Sequence, residues 1–179
     1  MSAETDIMDV LALAAAKLPS VLPLVFADEN GPRPAKPYAT VATRWARRPR
    51  ENYAEVDDQG FRDTSSHRDA VVEIHGYGVG IFEALDLLSQ YLDTEDILQA
   101  TVSRNIAFWA IGQINRLPVL RDTNTYEPHA VMEISARYVV TVSEEVGFIE
   151  HVEASLDTVG GLKDDELPPF VFTIDIPPP

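Results

Sequence analysis

Ala130-Val131-Met132-Glu133-Ile134-Ser135-Ala136-Arg137-Tyr138-Val139-Val140-Thr141-Val142-Ser143 is the stretch that decides the fold. Met132, Ile134, Ala136, Tyr138, Val140 and Val142 hold the even positions, while Glu133, Ser135, Arg137, Thr141 and Ser143 hold odd ones. A period of two sustained this long predicts an antiparallel strand with one wet face. Glu144-Glu145-Val146-Gly147 then reads as a turn into a final strand over residues 148–152, closing a hairpin.

A second alternating run lies upstream. Over residues 38–47, Ala39, Val41 and Trp45 point one way and Thr40 and Arg44 the other. Residues 67–77 form its return strand, with Val72 and Ile74 on the buried side, and Asp57-Asp58-Gln59-Gly60 supplies the tight turn between them. Residues 38–77 therefore read as one long projecting β-hairpin. Its polar tip belongs in solvent or on another subunit, since a core cannot hold it.

Helices fill the remaining periodic segments. Residues 2–17 place Ile7, Val10, Leu11 and Ala14 on one face behind a Ser2 or Thr5 cap, and Pro19 and Pro23 end them in a loop. Residues 81–92 repeat Ile81, Ala84, Leu85, Leu88 and Leu92 at helical spacing. Thr94 caps a shorter helix over residues 95–104, with Ile97, Leu98 and Val102 inward. Residues 105–114 suit a strand and residues 117–128 a loop. The sum is an α+β fold: a mainly antiparallel sheet with helices packed on one face and a long projecting hairpin.

Composition bounds what such a domain does. The chain has 179 residues and no cysteine, which removes disulfides, thiolate nucleophiles and cysteine-bound metals. With 29 acids against 14 bases it carries a net charge of −15, which repels nucleic acid at long range. No apolar run reaches the ~18 residues of a membrane helix, so the expectation is a protein without membrane contact, made in a cytoplasm or in a particle assembled there. Residues 1–154 read as the folded domain, and residues 155–179, acidic and proline-rich, as a flexible tail. Its apolar island Phe170-Val171-Phe172-Thr173-Ile174 suits docking as an added strand on a neighbour.

Chemistry finds little to rest on. Gly76-Tyr77-Gly78-Val79-Gly80 sits where a phosphate loop would, but it lacks the dinucleotide spacing and reads as a sharp turn needing positive φ. His67, His75, His129 and His151 share no metal-binding spacing. No catalytic, cofactor-binding or metal residue is assigned, and no cofactor is expected. Charge distribution is more telling. Residues 33–68 hold eight of the fourteen bases against five acids, densest in Arg44-Trp45-Ala46-Arg47-Arg48-Pro49-Arg50. A basic arm on an acidic body lets identical copies join head to tail.

Pro34-Ala35-Lys36-Pro37-Tyr38-Ala39-Thr40-Val41, the arginine-rich strand, Ser65-Ser66-His67-Arg68-Asp69 leading into Val71-Val72-Glu73-Ile74-His75-Gly76-Tyr77-Gly78, and residues 127–150 together resemble the neck or tail terminator proteins of long-tailed bacteriophages. The resemblance covers roughly residues 5–153. It implies a non-enzymatic virion protein of the neck: a hexameric ring capping the tail tube, ending its polymerisation and joining the head connector. The implied partners are further copies of the chain, the tail tube protein, the sheath protein where the tail contracts, and a head-completion or connector protein. DNA would pass through the lumen without specific binding. Arg44, Arg47, Arg48 and Arg50, with Trp45 buried beneath them, are the expected subunit or partner contacts, together with Tyr53, Arg62, Phe170 and Phe172. The alternatives are another head–tail connector or completion protein, and a small nucleotide-binding or hydrolytic enzyme using His75 with the glycine turn.

Overall fold

The structure is a computed structural model that describes residues 2–117, 119–122, 125–147, 151–156 and 170–175. It opens with α1 (Ala3–Ala15), capped by Ser2, whose Oγ accepts the Thr5 amide at 3.3 Å. Four strands follow: β1 (Leu24–Phe26), β2 (Tyr38–Arg47), β3 (Glu51–Val56) and β4 (Phe61–Tyr77). Then come α2 (Ile81–Tyr91) and α3 (Glu95–Val102), and after them β5 (Ile106–Ile111), β6 (Asn115–Arg116), β7 (Val119–Asp122) and β8 (Thr125–Glu127). The chain ends through β9 (His129–Glu145), β10 (His151–Leu156) and β11 (Phe170–Asp175).

Two units emerge, one from Met1–Glu51 with Ser66–Val140, the other from Asn52–Ser65 with Thr141–Pro179. In the first, the sheet order is β1-β2-β4-β9-β5, with β6 added to β9. β1 lies parallel to β2, whereas β2 with β4 and β5 with β9 are antiparallel, pairing Val41 with Ile74 and Ile106 with Tyr138. Alternation then decides the layers. Ala39, Val41, Val72, Ile74, Met132, Ile134 and Ala136 all enter one core with Ile7, Leu11, Leu85 and Leu88 of the helices. The architecture is α+β, a mainly antiparallel sheet with its helices on one face. Side chains as fully buried as Ile74, Leu85 and Ile134 each contribute about 1.5–3 kcal/mol.

The strand-to-helix turn is built by glycine. Gly78 has φ +112° and packs against Lys36 and Pro37, and Gly80 opens α2 at φ +78°. Both lie in the region that favours glycine, as the sequence pattern requires.

Other expectations need correction. β2 does not alternate: Tyr38 to Ala42 are buried on both faces, and Arg44 to Arg47 are exposed on both. A bulge between Thr43 and Trp45 shifts the register, so Trp45 faces Val71 and is 52% exposed instead of buried. Thr94 makes no capping bond, and its hydroxyl instead donates to the Tyr91 carbonyl at 2.7 Å. In α3 only Ile97 and Thr101 are buried, since eight residues give a single inward row and leave Leu98 and Val102 exposed. The expected loop over residues 117–128 contains β7 and β8, paired antiparallel through Leu120 and Tyr126. β1 was hidden because three residues after a proline give no readable period.

In the second unit β3 pairs with β4 across Asp57-Asp58-Gln59-Gly60. One carboxylate oxygen of Asp57 accepts the Gln59 amide at 3.0 Å and the Phe61 amide at 2.8 Å, which pins the turn. This tip has a partner in its own chain. The Gly60 carbonyl accepts the amides of Val146 and Gly147, each at 3.0 Å, and Ser65 bonds Thr141 at 2.8 Å. β10 pairs with β11 in a separate two-stranded sheet, His151 opposite Asp175 and Leu156 opposite Phe170. The expected closing strand therefore pairs with the C-terminal island and not with β9; residues 148–150 lie outside the described residues. Phe170 to Ile174 do form an added strand, as read, but on this chain's own β10.

Candidate interaction surface

Opposite the helices, the sheet of the first unit carries a polar face. Residues of β2, β4 and β9 that alternate with the core positions meet there in two ionic groups. Asp69 accepts a hydrogen bond from Arg137 Nε at 2.7 Å, has Arg137 Nη2 at 2.7 Å from the same oxygen as an ion pair, and lies 3.7 Å from Arg47. The Arg137 hydrogen bond holds the Asp69 carboxyl below the usual range, against a smaller opposing effect of burial. One end of β2 is thus tied to β9 through a carboxylate on the strand between them.

The second group is more enclosed. Arg44 Nε donates to Glu73, and His75 Nε2 stands 3.0 Å from the same Glu73 oxygen, close enough for an ion pair but off the line of a hydrogen bond. His75 Nδ1 and His129 Nε2 face each other at hydrogen-bond distance, 3.1 Å. Tyr77 stacks on His129 at 4.7 Å and 4°, and Tyr38 on Tyr77 at 5.2 Å. Burial opposes ionisation of Glu73, but His75 and Arg44 outweigh it and hold the carboxyl below its usual range. Burial, with His75 close by, lowers the pKa of His129, while Glu127 works the other way.

What this arrangement can do is limited by its room. The cavity beside His75, lined by Arg33, Tyr38, Thr40, Arg44 and Tyr77, holds about 150 Å³. Clefts that seat small ligands run from about 300 to 1,000 Å³. Among the described residues no three His, Asp or Glu side chains converge on a metal position. The glycine turn offers no free cradle either: the Gly78 amide is bonded to Pro128, and Gly76 packs on Ile81.

The residues singled out in the sequence are scattered over both units. Arg44, Trp45, Arg47, Arg48 and Arg50 run off the exposed end of β2, where Arg48 pairs with Glu51. In the second unit Arg62 bonds Glu144 at 2.6 Å and lies 5.1 Å over the exposed Tyr53 ring. Phe170 and Phe172 lie in β11, opposite Leu156 and Ala154. The acids answering these arginines, Asp69, Glu73, Glu51 and Glu144, went unnoticed in the sequence because strand register alone brings most of them near.

A fold with a polar sheet face and paired arginines is the setting in which family comparison decides. The family model of the phage neck terminator protein matches residues 5–161. The chain belongs to the phage neck terminator family. Its members are structural proteins of the virion neck, which places this chain among phage head and tail proteins. None of the curated proteins matches the chain. No helix among the described residues is long and apolar enough to cross a membrane.

Proposed function

We propose that the terminator chain forms a closed ring, six copies around, at the top of the tail tube, where it ends tube polymerisation and presents the docking face for the head connector. In a contractile tail the same ring meets the last sheath layer. Family membership over residues 5–161 carries this reading. Charge supports it: at −15 per copy the ring repels the genome it encircles, so DNA crosses without phosphate contacts that would slow ejection. Assembly takes place in the host cytoplasm. Residues 1–154 act as the ring-forming body and residues 155–179 as its appendage.

The exposed end of β2 supplies one contact. Arg47 is 73% exposed and holds Asp69 only loosely, Arg50 is exposed, and Trp45 offers half its surface beside them. Such an aromatic and arginine pair is the usual anchor of a protein interface. Arg44 and Arg48 reach a neighbour as already paired groups, and in the second unit Arg62, Tyr53, Phe170 and Phe172 supply further contacts. Imaging the purified protein alone and on isolated tail tubes tests the proposal. Six-fold rings seated on the tube's head-proximal end are expected; binding along the tube walls, or no binding, would overturn it.

A further inference from the structure

Val79, Phe82, Arg116, Tyr126 and Pro128 wall a groove of about 390 Å³ at the strand-to-helix turn of the first unit. Val79 is 84% exposed and Tyr126 66%, an uncommon degree of exposure for large apolar side chains placed together. Arg116 adds its flat face to the wall: its guanidinium lies 4.3 Å over the Phe82 ring while one nitrogen bonds Glu83 at 2.7 Å. With its charge answered by Glu83, Arg116 acts here as a planar surface. Grooves lined in this way bind polyproline segments, whose backbone is already fixed and offers no amide that needs a partner.

The chain contains such a segment. Pro177-Pro178-Pro179 follows Ile176 immediately after β11, and a polyproline segment of three residues spans about 9 Å. Charge argues for an apolar clasp between copies. Bodies of −15 repel one another, and Arg44, Arg48 and Arg62 each already face an acid of their own chain. An uncharged segment in an apolar groove is indifferent to both facts. We infer that residues 176–179 of one copy dock in the Val79–Tyr126 groove of the next. This rests on the ring reading, because a tail meeting a different surface of its neighbour is a heterologous contact, which closes into a ring when the rotation permits.

Absence of cysteine makes the test clean. A Val79→Cys, Pro178→Cys chain carries two thiols and no others, at an exposed groove position and in the proline run. Oxidised in assembled particles and run without reductant, it should give a ladder of covalent multimers, unchanged when salt is raised to about 1 M. Each single variant should stop at monomer or dimer. Closure within one chain, a bond to another virion protein, or no cross-link in particles would overturn the inference. Particle images separate it from the ring reading. A six-fold neck ring without the ladder sinks the tail contact alone, whereas a neck without this chain sinks the ring.

Discussion

At Gly76 a methyl group would stand 2.2 Å from Cγ1 of Ile81 and 2.7 Å from its Cδ1. Ile81 is 2% exposed and locked between α2 and the sheet, so it cannot swing away. Gly76→Ala should therefore lower stability by about 1–3 kcal/mol, several degrees of melting temperature in a chain this size, read by thermal denaturation. An unchanged melting temperature would mean that Ile81 repacks freely. His129 gives the second residue-scale test. Its pKa lies below the ordinary 6.5 because it is buried beside His75. The unfolded chain then binds the proton first, so this contribution is complete above pH ~6.5 and lost as pH falls through the folded value. Asp69 and Glu73 act lower, as pH falls from their ordinary 3.8 and 4.5. Replacing His129 by Gln should flatten the stability loss between about pH 8 and about pH 5, measured by urea denaturation, while leaving the carboxylate region alone. A parallel loss in both proteins would contradict it. The glycine turn was legible because backbone conformation is local. The histidine pair was not, because residues 75 and 129 meet only once the register of β4 on β9 is known.

Elements with long, clean periods were the legible ones. α1, α2 and the first half of β9 follow from their spacing, since each buries a stripe against a common core, whereas beyond Val140 every residue of β9 is exposed, Val142 included. Short or irregular ones were not: β1 has three residues, β7 and β8 have four and three, and the bulge in β2 turns Trp45 out of its expected row. The tip of the β3–β4 hairpin is polar enough to suit solvent or a neighbour, yet it is bonded to Val146 and Gly147 just past β9. At the end of β2, Asp69 is already held by the Arg137 guanidinium through a hydrogen bond and an ion pair, so Arg47 is not needed to neutralise it. Reversing Arg47 and Arg48 to glutamate should thus leave the melting temperature within a degree or two, while weakening ring association about tenfold or more in light scattering. A ring equally stable at the same concentration would remove this strand end from the interface.

For the whole molecule, the class of fold and the family were readable because they depend on the order of elements and on motifs spread between residues 34 and 150, within the 5–161 that the family model matches. Charge logic was only half readable. Sequence counts show a basic stretch in an acidic chain, but the fold spends most of those arginines on acids close at hand. The groups left for the proposed association are Trp45 and Arg47 on β2, Arg50 just past it, and the apolar groove by Val79, which no count of residue types reveals. The pairing of β10 with β11 belongs to the same category, since two strands separated by a long sequence interval are joined by register and not by local pattern. A two-stranded ribbon is marginal by itself in water, which fits an appendage that gains support in an assembly.

The central claim is that this chain terminates and caps the tail tube. The most direct measurement images particles assembled without it and records tube length and head attachment. Tubes of varied, overgrown length lying apart from filled capsids are the predicted result. Tubes of uniform length firmly joined to filled capsids would contradict the account.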